Sequence, residues 1–237
     1  MPSVKQKLQI NVSKASGFDF DLIADSYDSW YAGRRGAMYD RLEKKAIIRY
    51  LPTHAKGEKL LEVGCGTGHW SQFFSGYGFE VTGVDVSQRM IDTAKSKNIS
   101  DASFQVADGH SLPFADGTFD ITAAVTILEF VRDAELVLRE MVRCTRKSGR
   151  ILLGVLNELS KVNRQKANSP ESPYSAARLF SPIELKEFLE PFGQVEITVA
   201  GFVPTQSWLM PFGPWFDRIA RMYGSQKGAF IAAVIKL

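Results

Sequence analysis

Between Glu62 and Gly68 the chain reads EVGCGTG, a carboxylate followed by glycines at positions 64, 66 and 68, with Cys65 as a small filler. A strand that feeds such a turn into a helix brings backbone N–H groups and the positive helix end toward a ligand, with no side chain blocking the approach. A nucleotide-like molecule is the natural occupant. The dinucleotide spacing G-x-G-x-x-G, counted from Gly64, would place its third glycine at position 69, where His69 stands. Two carboxylates follow at useful places. Asp85 ends the apolar run TGVD, about 20 residues past the turn, where an acidic group reaches both hydroxyls of a ribose. Asp108 ends QVAD, with Ala107 before it and Gly109 and His110 after it. Upstream, YDSWY places Tyr27, Trp30 and Tyr31 ahead of Arg34 and Arg35. An aromatic face attracts a cation, at about 0.5–2 kcal/mol, and an arginine fork suits a carboxylate.

The elements that must position these groups are legible as an alternation. The segments DFDLIADSYDSWY and YDRLEKKAIIRYL carry apolar residues at helical spacing, and Pro52 ends the second. From Lys59 onward KLLEVG, EVTGVDVS, ASFQVAD, FDITAAVTIL and RILLGVL read as strands. HWSQFFSGYG, QRMIDTAKSKN and DAELVLREMVRCTRKSG read as the helices between them. Strands too apolar to face water, separated by helices, mean a parallel sheet covered on both sides. SPIELKEFLEPFG reads as a helix with Ser181 as N-cap, Pro182 at its first position and Glu184 completing a capping box. QVEITVAGF and GAFIAAVIKL are late strands. The polar stretch 157–180 is longer than an ordinary connection, so it is a mobile lid or a structured excursion.

Composition removes several function classes. The 237 residues are 45% hydrophobic and 23% charged, which suits a globular domain. A net charge of +3 is too small to imply nucleic-acid binding without a clustered patch, and the basic run KVNRQK makes RNA only a weak alternative. Cys65 and Cys144, far apart and without histidine partners, suggest no disulfide framework and no metal site. No window supplies the roughly 18 apolar residues of a membrane span, and a cytoplasmic location is expected. Residues 1–17 read as a flexible tail and 18–237 as a single domain, with N-terminal helices over 18–52.

In its Glu62-x-Gly64-x-Gly66-x-Gly68 turn, in Asp85 and Asp108, and in the stretch SLPFADGTFD, the chain resembles the class I S-adenosylmethionine-dependent methyltransferases. It is most similar to the small-molecule enzymes grouped with quinone and menaquinone biosynthesis. The resemblance implies a Rossmann-like, doubly wound α/β sheet of seven strands, mostly parallel with an antiparallel C-terminal strand. It also implies S-adenosylmethionine as methyl donor and S-adenosylhomocysteine as product. Glu62 would order the glycine loop, and Asp85 with Val86 would hold the ribose. Met90 would pack on the adenine face, with Ala107, Asp108, Gly109 and His110 around the adenine. Leu128 would lie near the methyl end, and Tyr27 would close over the methionine part, with Arg35 toward its carboxylate. Glu129, Tyr27 and His110 are the acid–base candidates.

The expected acceptor is a small hydrophobic or aromatic molecule. TILEF stands where amino-group DNA methyltransferases carry Asn/Asp-Pro-Pro-Tyr, which argues against DNA. Phe202, Trp208, Met210, Phe212 and Trp215 make 202–227 a candidate acceptor-side segment, dimer contact or peripheral membrane contact, with internal packing as the alternative. The protein would be a monomer or homodimer. A non-catalytic donor-binding regulator and, less favoured, a nicotinamide oxidoreductase are the alternatives.

Overall fold

Leu60 and Leu61 are adjacent, both fully buried, and belong to different cores. Successive strand residues point to opposite faces of a sheet, so a strand buried on both sides must be apolar at every position. This holds across the central strands and defines the fold. A computed structural model describes residues 18–170, 172–204 and 206–237; the N-terminal stretch expected as a tail lies outside the described residues.

The strands are β1 (Lys59–Val63), β2 (Glu80–Asp85), β3 (Ala102–Val106), β4 (Phe119–Val125), β5 (Thr145–Leu156), β6 (Gln194–Ala200) and β7 (Phe230–Lys236). They form one sheet in the order β3-β2-β1-β4-β5-β7-β6. β7 runs antiparallel to both β5 and β6, and β1 to β5 pair in parallel. The helices are α1 (Ser29–Ala32), α2 (Arg34–Ile48), α3 (His69–Tyr77), α4 (Gln88–Ser96), α5 (Ala134–Cys144), α6 (Lys161–Ala167), α7 (Pro182–Leu189) and α8 (Gly213–Met222). One face packs Leu61, Val63, Leu153 and Ile231 against Val137, Leu138 and Met141 of α5 and Leu185 of α7. The other packs Leu60, Leu152 and Phe230 against Ala46 and Ile47 of α2 and Trp70 and Phe74 of α3. The chain direction of winding reverses between β1 and β4, and such a switch point leaves a crevice at the carboxyl ends of the strands.

Three local features differ from the sequence reading, each for a physical reason. α5 stops at Cys144, because Thr145 is already extended at φ −86 and ψ 137, and its hydroxyl donates to the Met141 carbonyl at 2.6 Å. A Cβ on Gly149 would lie 2.6 Å from the Asp120 carbonyl, so only glycine lets β5 pass there. Ser181 caps α7 by accepting from the Glu184 N–H at 3.2 Å, but the Glu184 carboxylate pairs with Arg178 at 2.8 Å and leaves the return half of the capping box unmade. The 157–180 stretch is a structured excursion, holding α6 and a 3-10 turn at Pro173–Ala176. Its base is clamped by two buried amides. Asn157 Nδ2 donates to the carbonyls of Gln226 and Gly228, both at 2.7 Å, and Asn163 Nδ2 donates to Ala229 at 2.7 Å. Asn157 also bridges Phe180 at the far end of the excursion.

Candidate active site

The three glycines of the turn have three separate reasons to lack a side chain. All have positive φ, at 73° for Gly64, 51° for Gly66 and 80° for Gly68, a region costly for residues with a Cβ. A Cβ on Gly64 would stand 2.6 Å from Ile127, and one on Gly68 would press on Ile99, Ala94 and Phe104 at 3.1–3.3 Å. These two positions serve packing. Gly66 faces open space, where a Cβ would meet only the Met90 sulfur at 3.9 Å. Met90 itself is buried beneath that opening.

The turn is open in space, yet its amides are occupied. Gly64 and Cys65 donate to the Val84 carbonyl at 2.8 and 2.9 Å, Gly66 donates to Asp85 Oδ2 at 2.9 Å, and Gly68 donates to the Cys65 carbonyl at 2.9 Å. The sequence suggested N–H groups aimed at a ligand; these four are spent inside the protein. A pyrophosphate needs such donors and a nucleoside does not. The turn therefore fits an adenosyl group better than a dinucleotide.

Asp85 accepts from Gly66 and from the Ser87 N–H at 2.9 Å, so the same carboxylate shapes the loop and borders the opening. Burial pushes its acid up, against the pull of those amides. Asp85, Val86, Ala107, Asp108, Gly109 and His110 line one narrow cleft with Gly64 and Ile127. Asp108 and His110 are joined, since Nδ1 of the ring lies 2.6 Å from Asp108 Oδ1 and Nε2 accepts from the Asp133 N–H at 3.3 Å. With both ring nitrogens engaged, His110 is built to position Asp108 rather than to shuttle protons. Glu62 is buried at the end of β1, accepts from the Ser71 hydroxyl of α3, and has its acid pushed up to about 8 by burial.

A second space adjoins this cleft at the end of β4. It measures about 380 Å³ and is lined by Tyr27, Tyr31, Tyr39, Phe130, Thr126 and Tyr174 among others. Tyr27 hydrogen-bonds Tyr31 and Thr126, and burial holds its phenol protonated, so it is a donor and no base at neutral pH. Thr126 sits at φ 52, an outlier for a β-branched residue, and marks where β4 breaks between cleft and cavity. The segment before α1 is fastened to the glycine turn and to α4 with its N-cap. Asp21 accepts from Ser87 Oγ, Asp28 accepts from Thr67 Oγ1 at 2.7 Å, and Lys97 pairs with Asp28 at 2.6 Å.

Several expected residues stand elsewhere. Leu128 is buried in the core, and its neighbour Ile127 is the one at the cleft. Glu129 is 1% exposed, ties the end of β4 to β5 through the Leu156 N–H, keeps Oε2 without a partner, and has its acid raised to about 7 by burial. It lines neither space. Arg35 hydrogen-bonds the Tyr39 hydroxyl. Trp208, Phe212 and Trp215 are exposed and do not line the cavity, whose walls come mainly from residues 20–43, the end of β4 and the 157–180 excursion. The sequence reading did not single out Thr126, Ile127, Glu43, Lys166 or Tyr174. Only a pattern joining three distant segments could have marked them.

Comparison with known proteins agrees with this geometry. A family profile described as "Methyltransferase domain" matches residues 61–153. An uncharacterised protein of Methanocaldococcus jannaschii is 30% identical over 177 residues, covering 73% of this chain and 80% of that one. The 2-methyl-6-phytyl-1,4-hydroquinone methyltransferase of Synechocystis sp. is 32% identical over 182 residues, covering 71% of this chain and 55% of the enzyme. A solved Thermotoga maritima structure, described as a possible histamine N-methyltransferase, superposes with a TM-score of 0.72 at 23% identity over 92% of this chain and 97% of that one, a likeness of fold. The chain carries a methyltransferase domain over residues 61–153 and shares the fold of a solved S-adenosylmethionine-dependent methyltransferase. Phosphoethanolamine N-methyltransferase 2 of Haemonchus contortus, solved in complex with S-adenosyl-L-methionine, shares the fold with a TM-score of 0.61 at 15% identity over 92% of this chain and 60% of that one. Among the described residues, no helix is long and apolar enough to cross a membrane.

Proposed function

We propose that the chain methylates a small hydrophobic or aromatic acceptor held in the 380 Å³ cavity at the end of β4. The observation that carries this reading is the wall: seven aromatic side chains among eighteen lining residues, in a volume typical of small-molecule sites, reaching Tyr27 and Thr126 beside the donor cleft. The relatives that share the sequence pattern include a hydroquinone methyltransferase, which supports an aromatic body for the acceptor.

Gly66 leaves the space for the adenosyl part, Asp85 borders the ribose, and Asp108, steadied by His110, borders the base. Ile127 and Met90 supply the apolar walls. The bound donor supplies a methyl carbon already activated by its sulfonium. What remains for the protein is to hold the acceptor in line and keep water out, and orientation of this kind is worth up to roughly 7–11 kcal/mol. The aromatic cation-attracting face expected around Trp30 is occupied by the protein's own Lys166, whose Nζ lies 4.0 Å from the ring centroid. The work proposed for Trp30 is therefore to seat Lys166.

Labelled methyl transfer to a panel of aromatic and aliphatic acceptors tests the reading. Tyr174→Ala opens the cavity wall and should reduce turnover of aromatic acceptors at least about tenfold, in line with losing a buried aromatic contact. Affinity for S-adenosylhomocysteine should stay unchanged. Undiminished turnover in that variant would place the acceptor elsewhere. Trp208→Ala and Trp215→Ala serve as controls, because neither side chain lines the cavity.

A further inference from the structure

The cavity has two ionisable groups that an inert aromatic acceptor would not need. Glu43 comes from α2 and Lys166 from α6, and both line the space half-buried. Lys166 Nζ rests over two rings at once, 4.0 Å from the centroid of Trp30 and 4.6 Å from that of Tyr174. We propose, building on the methyltransferase reading, that the acceptor is a weakly acidic aromatic alcohol of the phenol or hydroquinone class, with Glu43 taking its hydroxyl proton and Lys166 holding the resulting oxyanion.

The competing chemistries fit less well. An ammonium acceptor would enter beside the Lys166 ammonium, placing two like charges in one largely apolar space. A carboxylate acceptor arrives ionised, needs no proton acceptor, and would face Glu43 as a second anion. A phenol uses both groups. Its O–H bond breaks, the proton passes to the Glu43 carboxylate, and the electron pair stays on the acceptor oxygen beside the Lys166 ammonium. The count of charges in the cavity is unchanged by that transfer, so no net charge is buried.

The surroundings set the two groups to suitable strengths. Burial and the Asp40 and Glu129 carboxylates push Glu43 up to about 7, while Lys166 and Lys44 draw it down. Burial and Arg35 lower Lys166, and Glu43 raises it. The tyrosines that share the wall, Tyr27, Tyr31, Tyr39 and Tyr174, are all raised by burial and stay protonated. Glu43 is the wall's proton acceptor near neutral pH.

The test uses the full chain without donor and 4-nitrophenol as probe, whose phenolate absorbs in the visible. At a pH just below the probe's own pKa, binding should increase the phenolate band. Its affinity should pass through a maximum with pH, because probe and Glu43 together must hold one proton. Glu43→Gln should abolish the fall on the alkaline side, and Lys166→Met should weaken binding about tenfold and erase the band increase, as expected for loss of a charge-assisted contact. Circular dichroism of both variants checks folding. A probe that binds in its neutral form, fails to bind, or is displaced more strongly by benzylammonium or phenylacetate than by phenol overturns the proposal. Calorimetry with S-adenosylhomocysteine runs in parallel. Failure there strikes the donor site, while donor-product binding without phenolate formation strikes only this inference.

Discussion

Gly66→Val should fold, melt within about 2–8 °C of the wild type, and lose roughly a hundredfold or more in affinity for S-adenosylhomocysteine. The modest stability cost follows from a left-handed backbone at φ 51, worth about 1–2 kcal/mol for a residue with a Cβ. No packing penalty adds to it, since the nearest atom to the new Cβ is the Met90 sulfur at 3.9 Å. The binding cost follows from the same fact, because the valine methyls would fill the only one of the three glycine positions that opens on free space. Gly68→Val should do the reverse. Its Cβ presses on Ile99, Ala94 and Phe104, so overpacking of about 1–3 kcal/mol adds to the backbone strain and the melting point should fall further. Calorimetric affinity and thermal midpoint, measured on both variants, separate the two effects. Wild-type affinity in Gly66→Val would reduce the turn to a strand-to-helix connector.

The second large effect is a pH dependence of stability that runs against the usual acid-labile pattern. Glu62, buried and hydrogen-bonded by Ser71, has its acid raised from about 4.5 to about 8. A group raised on folding contributes stability that is fully present below its unfolded pKa and is lost as pH climbs through its folded one. Wild-type stability should therefore decline between about pH 4.5 and 8, and Glu43 and Glu129, both raised to about 7, act in the same direction. Glu62→Gln keeps the shape and an acceptor for the Ser71 hydroxyl without the charge. It should match the wild type near pH 4.5 and exceed it by up to a few kcal/mol, on the order of 3, at pH 8.5. Urea midpoints for both proteins at pH 5 and 8.5 give the comparison. Parallel pH profiles would show that the Glu62 carboxyl ionises as freely inside as outside.

The cleft proposed for the donor was legible in the sequence because it is local. A turn, one strand end and the next strand end carry Gly66, Asp85 and Asp108, and the parallel sheet aligns those ends as neighbours. The alternation of strands and helices likewise follows from apolar runs that have no polar face. The cavity proposed for the acceptor is assembled from residues 20–43, the end of β4 and the excursion after β5, and nothing in spacing links Glu43 to Lys166. Exposure was the other gap. The aromatic cluster at 202–216 looked like a pocket wall by composition, yet Trp208 and Trp215 are 74% and 58% exposed, while the cavity's rings, four tyrosines with Phe20, Trp30 and Phe130, come from three other segments. Composition records apolar side chains and does not record which of them face one another.

The paired amides of Asn157 and Asn163 have a further consequence. Because the ends of the excursion meet at the Asn157–Phe180 bridge, and Asn157 and Asn163 latch its start to the segment entering β7, the residues between Asn163 and Phe180 can change without loosening that base. The stretch behaves as an exchangeable cassette. Grafting a different loop between the same two anchor points should change which molecules the cavity admits and leave the cleft at Asp85 and Asp108 as it is.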